Sequence, residues 1–230
     1  VSQDGNHLIE ILPRKPQRSL LAVCEPVALT IEQVLCEAGD ETRYLYFPTD
    51  AFVSLIGEVD DKSCLEVGMV GREGILGVHL ALGVATAPLR ALVQGSGKAW
   101  RVEVGDFRRE VASHIALRRT VERYVYVLMA QFAVASACVR FHLIDARLAR
   151  WLLMTQDRAD SDCFQVTHEF LAYMLGVRRV GVTTAAGALQ KRGLIAYHRG
   201  KLEVLDRAGL ELAACSCYAS DRQTYRRLLP

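Results

Sequence analysis

The stretch Thr167–Leu210 constrains the fold more than any other part of this chain. Ala172 is followed four residues later by Gly176 and six residues after that by Val182. This order has a steric cause. A first helix needs a small residue where a second helix crosses it, and the turn needs a residue that accepts positive φ. The second helix needs an apolar residue facing back into the pair. The spacing predicts a helix over Thr167–Leu175 with Thr167 as its cap, a turn at Gly176, and a second helix over Arg178–Arg192 closed by Gly193. Leu194–His198 and Lys201–Leu205 alternate in polarity about Arg199-Gly200, which predicts a hairpin, the wing of a winged helix-turn-helix. Phe164-Gln165-Val166 reads as a short strand before it.

Charge is distributed to match. Residues 1–142 carry 15 basic against 17 acidic residues, and residues 143–230 carry 13 against 9. The basic excess sits with the helix-turn-helix, as phosphate binding requires. The seven cysteines (24, 36, 64, 138, 163, 215 and 217) show no metal spacing, and Cys215-Ser-Cys217 fits zinc poorly. No metal site is therefore expected. An odd cysteine count beside a polar start, Val1 to Gly5, suggests reduced thiols in a cytoplasmic protein. The longest apolar run, Tyr124–Val139, is interrupted by Gln131 and bracketed by Arg123 and Arg140. It reads as a buried interface helix, not a membrane span.

The N-terminal half reads differently. Residues 1–18 hold Pro13 and Pro16 and suggest a loose arm with one helical turn. From Leu20 to Val104 turn residues recur at short intervals: Gly39-Asp40, Pro48-Thr49-Asp50, Asp60-Asp61, Gly71, Gly83, Pro88 and Gly95-Ser96-Gly97. Between them lie β-branched and aromatic runs at Tyr44–Phe47, Phe52–Ile56, Leu65–Val70, Ala91–Gln94 and Ala99–Val104. This is the pattern of a small antiparallel barrel or jelly roll. Asp106 is the expected cap of the next helix, and glycine and proline then disappear until Gly176. A long amphipathic helix is predicted from His114 to Phe141, with Leu117, Val121, Tyr124, Leu128, Ala135 and Val139 along one stripe. A stripe about 40 Å long exceeds what a small domain buries alone, so these six residues are the expected homodimer interface. Ala130, Ala133, Ser136 and Ala137 are small enough to let a second backbone approach. A further helix, Ile144–Gln156, precedes a polar loop at Asp157–Asp162. The expected organisation is α+β: residues 1–105 a β-roll, 106–141 a dimerisation helix, 142–230 a winged helix-turn-helix.

Barrel, long helix and winged helix-turn-helix in this order resemble the Crp/Fnr family of bacterial transcription regulators, over nearly the whole chain. The resemblance is strongest in Val166-Thr167-His168-Glu169-Phe170-Leu171-Ala172-Tyr173-Met174-Leu175-Gly176-Val177-Arg178-Arg179 and in Leu189-Gln190-Lys191-Arg192-Gly193-Leu194-Ile195. Gly39-Asp40 and Gly71-Arg72-Glu73-Gly74 fall where the family's cyclic-nucleotide-binding-like barrel has a Gly-Asp turn and a Gly-Glu pair. Cyclic-AMP-binding members follow that pair with an Arg-Ser step for the cyclic phosphate. Here the stretch is Pro88-Leu89-Arg90-Ala91, with leucine on the arginine position, so cyclic AMP is not the expected effector. A slip of one residue would put Arg90 back in play. The N-terminal cysteines of the iron–sulfur members are absent from residues 1–23. No cofactor is indicated.

The resemblance implies a double-stranded DNA partner. Family members commonly read DNA with an Arg, a Glu just after it and a second Arg four residues beyond the Glu. Arg179 keeps the first position, Val180 replaces the Glu and Thr184 the second Arg. A different half-site is therefore expected, since a valine can meet only a thymine methyl. The candidate DNA-binding set is Thr167, Arg178, Arg179, Val180, Thr183, Thr184, Lys191, His198, Arg199 and Lys201. Arg179 is assigned to a base, Arg178 to a phosphate, and the wing residues to sequence-independent attraction. Arg72, Glu73 and Arg90 are the candidate effector residues. Activation would require a surface for RNA polymerase, and no residue pattern marks one. Catalysis is not expected, because no Cys-His-Asp set is suggested. The alternative function is an effector-independent regulator whose β-roll serves only as a dimerisation scaffold.

Overall fold

The computed structural model describes residues 5–59 and 63–230. The polar residues 1–4 and the Asp60-Asp61 turn lie outside the described residues. Two short helices, α1 (His7–Glu10) and α2 (Arg14–Ala22), precede the β-roll. Its strands are β1 (Glu25–Leu29), β2 (Val34–Cys36), β3 (Tyr44–Pro48), β4 (Phe52–Val59), β5 (Ser63–Val70), β6 (Arg90–Gly95) and β7 (Gly97–Glu103), with a 3₁₀ turn at Val78–Leu82. They form two antiparallel sheets, ordered β1-β7-β3 and β2-β6-β4-β5. Strands β1 and β2 escaped the sequence pattern because their side chains are mostly exposed or half-buried and show little alternation.

The N-terminal arm is not loose, contrary to expectation. Leu8, Ile9, Leu12 and Leu20 are buried in the β-roll core. Asn6 is buried, and its amide donates to Pro48 O at 2.9 Å and Gly74 O at 2.8 Å while its carbonyl oxygen caps α1 through Leu8 N. Two buried carbonyls are thereby satisfied, and each would cost about 1–3 kcal/mol if left unpaired. The proline content suggested a free arm because these partners are distant in sequence.

Helix α3 (Val104–Ser113) begins earlier than Asp106 predicts, because Glu103 accepts from Gly105 N at 2.7 Å and serves as the cap. Helix α4 (Ile115–Phe141) follows as expected. By length and composition alone it would cross a bilayer, with a mean hydropathy of 1.5 over its most apolar window. One side of it is instead packed into the protein core.

That packing corrects the dimer stripe. Leu117, Val121, Tyr124, Leu128 and Ala135 are all buried within the single chain, and only Val139 is exposed. The first four belong to the core shared with Phe47, Ile75 and Phe107 of the β-roll and α3. Each large side chain so buried contributes about 1.5–3 kcal/mol. A β-roll joined to a C-terminal helix can cover this stripe, which the argument from domain size overlooked. The opposite face carries Tyr126, Met129, Ala133, Ser136, Ala137 and Arg140, all exposed. Tyr126 and Met129 retain 54% and 64% of their accessible surface.

Helix α5 (Ile144–Ala159) runs past Gln156 into the expected loop. Its last turn is held from outside: Asp157 pairs with Arg207 at 2.7 Å, and Arg158 reaches Glu73 at 2.6 Å. The winged unit follows as β8 (Cys163–Gln165), α6 (His168–Leu175), α7 (Arg179–Lys191), β9 (Ile195–His198) and β10 (Lys201–Val204), with sheet order β8-β10-β9. Helices α8 (Arg207–Ala213) and α9 (Cys217–Leu228) end the chain. Helix α9 packs along α4, Asp221 is buried against Arg150 at 2.7 Å, and Tyr225 donates to Glu73 O at 2.5 Å.

Ile56 and Met69 of the β-roll share one core with α5, α6, α7 and the wing. Glu66 of β5 faces this junction, in a small cleft with Arg150 and Trp151. Burial pushes its carboxyl up from 4.5 to about 7, against the pull of Ser54, which donates to Glu66 Oε2 at 2.6 Å. The folded chain therefore keeps a proton that the unfolded chain releases near 4.5. The corresponding stability is fully present below that pH and is lost as pH rises through about 7. Glu66→Gln should gain stability over the parent at pH 8 in thermal denaturation and show no such gain at pH 4.5. An equal gain at both would contradict this account.

Candidate nucleic-acid interface

The helix-turn-helix is built as its spacing predicts. Thr167 Oγ1 accepts from Phe170 N at 3.1 Å and caps α6. Gly176 sits at φ 61°, and Val177 N returns to Ala172 O at 3.0 Å to close the turn. Val182, Ala185, Ala186 and Leu189 bury the inner face of α7. Arg178, Arg179, Val180, Thr183, Thr184, Gly187, Ala188, Lys191 and Arg192 form its exposed outer face. Val180 retains 70% of its accessible surface.

Thr183 and Thr184 donate to the carbonyls of Arg179 and Val180 at 3.1 and 3.0 Å. Their oxygens keep lone pairs for a further donor. The wing turns at Arg199 and Gly200, with φ 48° and 80°, as a two-residue hairpin loop of right twist requires. His198, Arg199 and Lys201 are exposed beside the open end of α7. Among the described residues no carboxylate pairs with Arg178, Arg179, Lys191, Arg192, Arg199 or Lys201. A surface of unpaired cations around a polar helix face is suited to a phosphate backbone.

His168 was not singled out by sequence reasoning, and no local signal marks it. Its ring stacks on Tyr197 of the wing at 4.3 Å, and its Nδ1 lies 3.0 Å from Thr183 Oγ1. Burial, with Arg179 nearby, lowers its pKa. It joins α6, α7 and the wing into one rigid unit. Arg192 also belongs to the exposed basic set and was missed beside Lys191.

The candidate effector residues lie elsewhere than expected. Glu73 is bound by Arg158, which donates from Nε at 2.9 Å, so it bridges the β-roll to α5. A Cβ on Gly74 would overlap the Tyr124 hydroxyl, so this glycine permits the close approach of α4. Arg90 lies 3.4 Å from Glu37 and 3.3 Å from Glu58 and approaches the Tyr173 hydroxyl at 3.5 Å. Arg72, Glu73 and Arg90 do not line the cavity of the β-roll. That cavity measures about 320 Å³ and is walled by Leu35, Tyr46, Leu55, Leu76 and Leu89, with Leu128 and Phe132 of α4. Its polar groups include Asp40, Glu41, Thr42, Arg43 and His79, with Thr42 Oγ1 2.7 Å from His79 Nε2. Burial lowers the His79 pKa, which keeps the ring neutral. Two carboxylates beside one guanidinium offer an anion no net attraction.

Four side chains without metal spacing in the sequence nevertheless meet in the fold. Cys138, His142, Cys215 and Cys217 place their donor atoms within 4.8 Å of one another. The spacing argument missed them because the fold joins residues 77 positions apart, as for Cys138 and Cys215.

Residues 146–213 match the Crp-like helix-turn-helix domain family. No curated protein matches the chain. Among solved structures, FixK2 of Bradyrhizobium japonicum is 12% identical with a TM-score of 0.71, covering 84% of this chain and 98% of its own. A CRP-family transcriptional regulator of Thermus thermophilus is 24% identical with a TM-score of 0.67, covering 82% of this chain and 96% of its own. A Crp/Fnr-family regulator of Eubacterium rectale is 14% identical with a TM-score of 0.70, covering 90% and 96% respectively. Residues 146–213 are thus a Crp-like helix-turn-helix domain, joined in this chain to a β-roll. Over the whole chain the fold is that of these Crp/Fnr-type structures.

The turn of the helix-turn-helix also touches the β-roll. A Cβ on Gly176 would stand 3.1 Å from Leu65 Cδ1 and 3.3 Å from Cys64 O, in a left-handed backbone. Gly176→Ala should therefore cost at least the roughly 1–2 kcal/mol of a left-handed alanine, read by chemical denaturation. A neutral substitution would contradict this reading of the turn.

Proposed function

We propose that this protein is a homodimeric, sequence-specific DNA-binding transcription regulator whose β-roll senses a compact, largely apolar effector. The observation that carries the DNA-binding reading is the outer face of α7. Paired guanidinium groups at its start, two threonine hydroxyls one turn on, and the wing cations all face solvent, with no counter-charge among the described residues.

Arg179 is assigned to a guanine edge through two parallel hydrogen bonds, and Arg178 to a phosphate. Val180 replaces a cytosine-reading carboxylate with a surface fit for a thymine methyl. Thr167 leaves the start of α6 facing the backbone, where helix N–H groups favour anions. Lys191, Arg192, His198, Arg199 and Lys201 add attraction that falls as salt rises.

Dimerisation is assigned to the exposed face of α4, through Tyr126, Met129, Ala133 and Ala137. Small residues there let two helices approach closely. A two-fold pair then sets two recognition helices about 34 Å apart, for a near-palindromic site. Leu128 and Phe132 wall the β-roll cavity on the opposite face of the same helix. An effector that fills the cavity in one pose better than another shifts the helix, and the recognition helices with it. The cavity favours this reading over a β-roll that is only scaffold. Cyclic AMP is disfavoured, because Leu89 lines the wall where a phosphate-binding arginine would stand.

The test uses duplexes selected by the full chain from a random pool. Arg179→Ala should lose roughly 5- to 150-fold in affinity for the selected site, as loss of a bidentate base contact worth about 1–3 kcal/mol requires, and keep its affinity for random DNA. Lys201→Ala should weaken both alike and reduce the salt slope by about 1. Unchanged specific binding by Arg179→Ala would overturn the assignment of α7.

A further inference from the structure

We propose that Cys138, His142, Cys215 and Cys217 form a closed, four-ligand site for one borderline-soft divalent ion of the zinc class. The inference is independent of how the protein reads DNA. Cys138 and His142 lie one turn apart at the end of α4, so both side chains leave the same side of the helix. His142 is the last cap of that helix, with its N–H on Cys138 O at 3.1 Å. Cys215 lies in the connection between α8 and α9 and Cys217 opens α9, and this stretch is held to α5 by Cys215 N on Ala146 O at 3.4 Å. Two backbone tethers thus present two pairs of donors to one point.

The distances suit a tetrahedron. Zn–S bonds of about 2.3 Å give a tetrahedral S–S edge near 3.8 Å, and an S–N edge slightly shorter. Cys138 Sγ and Cys215 Sγ are 3.5 Å apart, and Cys217 Sγ is 3.6 Å from His142 Nδ1. All donor atoms lie within 4.8 Å of one another, which fits a single ion. An iron–sulfur cluster would interpose its own atoms and push the ligands further apart. The 3.5 Å sulfur separation is also far beyond the roughly 2.05 Å of a disulfide. Three thiolates and an imidazole are a donor set for zinc, not for magnesium or calcium.

The surroundings suit the charge. Three thiolates and one divalent cation sum to a single negative charge. Arg147 and Arg150 share a small cleft with Cys138. Cys138, Cys215 and Cys217 are each buried, which shields thiolates from oxidation and competing ligands. The three cysteines form a small cluster of their own, with Val134 and Ala146 packed against it, apart from the main aliphatic and aromatic cores.

Bound metal would fasten the α8–α9 connection to the point where α4 passes into α5. That point is where the long helix joins the helix-turn-helix half. Metal occupancy would therefore add a crosslink at this joint, beside the Arg150–Asp221 pair and the Tyr225–Glu73 hydrogen bond that already hold α9.

The experiment is metal analysis and cobalt substitution on the full chain. Protein purified without chelator should hold about one zinc per chain, as a closed four-ligand site does. Chelator-treated, reduced protein titrated with Co²⁺ should develop the strong visible and thiolate charge-transfer bands of a tetrahedral site, saturating at one equivalent. Cys138→Ser and His142→Asn should each lose or displace those bands. Cys163→Ser, at an exposed cysteine of β8, should leave them unchanged. Folding of each variant is checked by circular dichroism, and the cobalt spectrum of the unmutated chain stands apart from any folding defect. Only the spectrum of hydrated cobalt, bands that Cys163→Ser removes, or a Cys138–Cys215 disulfide in the freshly isolated protein would each overturn the proposal.

Discussion

Helix α4 carries two different faces, and the rest of the structure follows from how they are divided. Its inner stripe is consumed by the β-roll and α3, and the end of α9 joins the same core. What remains for a partner is the outer face, with Tyr126 and Met129 well exposed and alanines beyond them. The cavity wall and the partner face are then two sides of one rod.

The second half of the molecule is not hung on a free linker. Arg158 of α5 is buried and binds Glu73, Gly176 packs on Leu65, and Tyr173 lies between Cys64 and Arg90. These contacts hold α6, and through it α7, in one orientation relative to the β-roll. The Gly71–Gly74 stretch, read from sequence as a ligand turn, therefore serves as a joint between the halves. Its carboxylate is spent on a guanidinium, and its last glycine makes room for Tyr124.

Local steric and capping rules made the helix-turn-helix legible. Thr167, Gly176 and Gly193 act on residues within a few positions of themselves, so their pattern survives in one dimension. The strands from β3 to β7 were legible for the same reason, through alternation between punctuated turns. The failures share the opposite property. Asn6 reaches Pro48 and Gly74, Glu73 reaches Arg158, and Cys138 meets Cys215, all across long loops. The stripe of α4 was read with the right period, and all of it but Val139 is buried, but inside the chain and not against a partner. Periodicity reports that a face is apolar and carries nothing about what lies against it.

The account's central claim is that the exposed face of α4 pairs with a second copy while the inner stripe does not. Molar mass in solution, by light scattering, tests it most directly. The unmutated chain should have twice the mass of one polypeptide, and Met129→Glu should halve that mass while the separated subunit stays folded. A monomeric parent, or a Met129→Glu variant that stays a dimer at micromolar concentration, would contradict it.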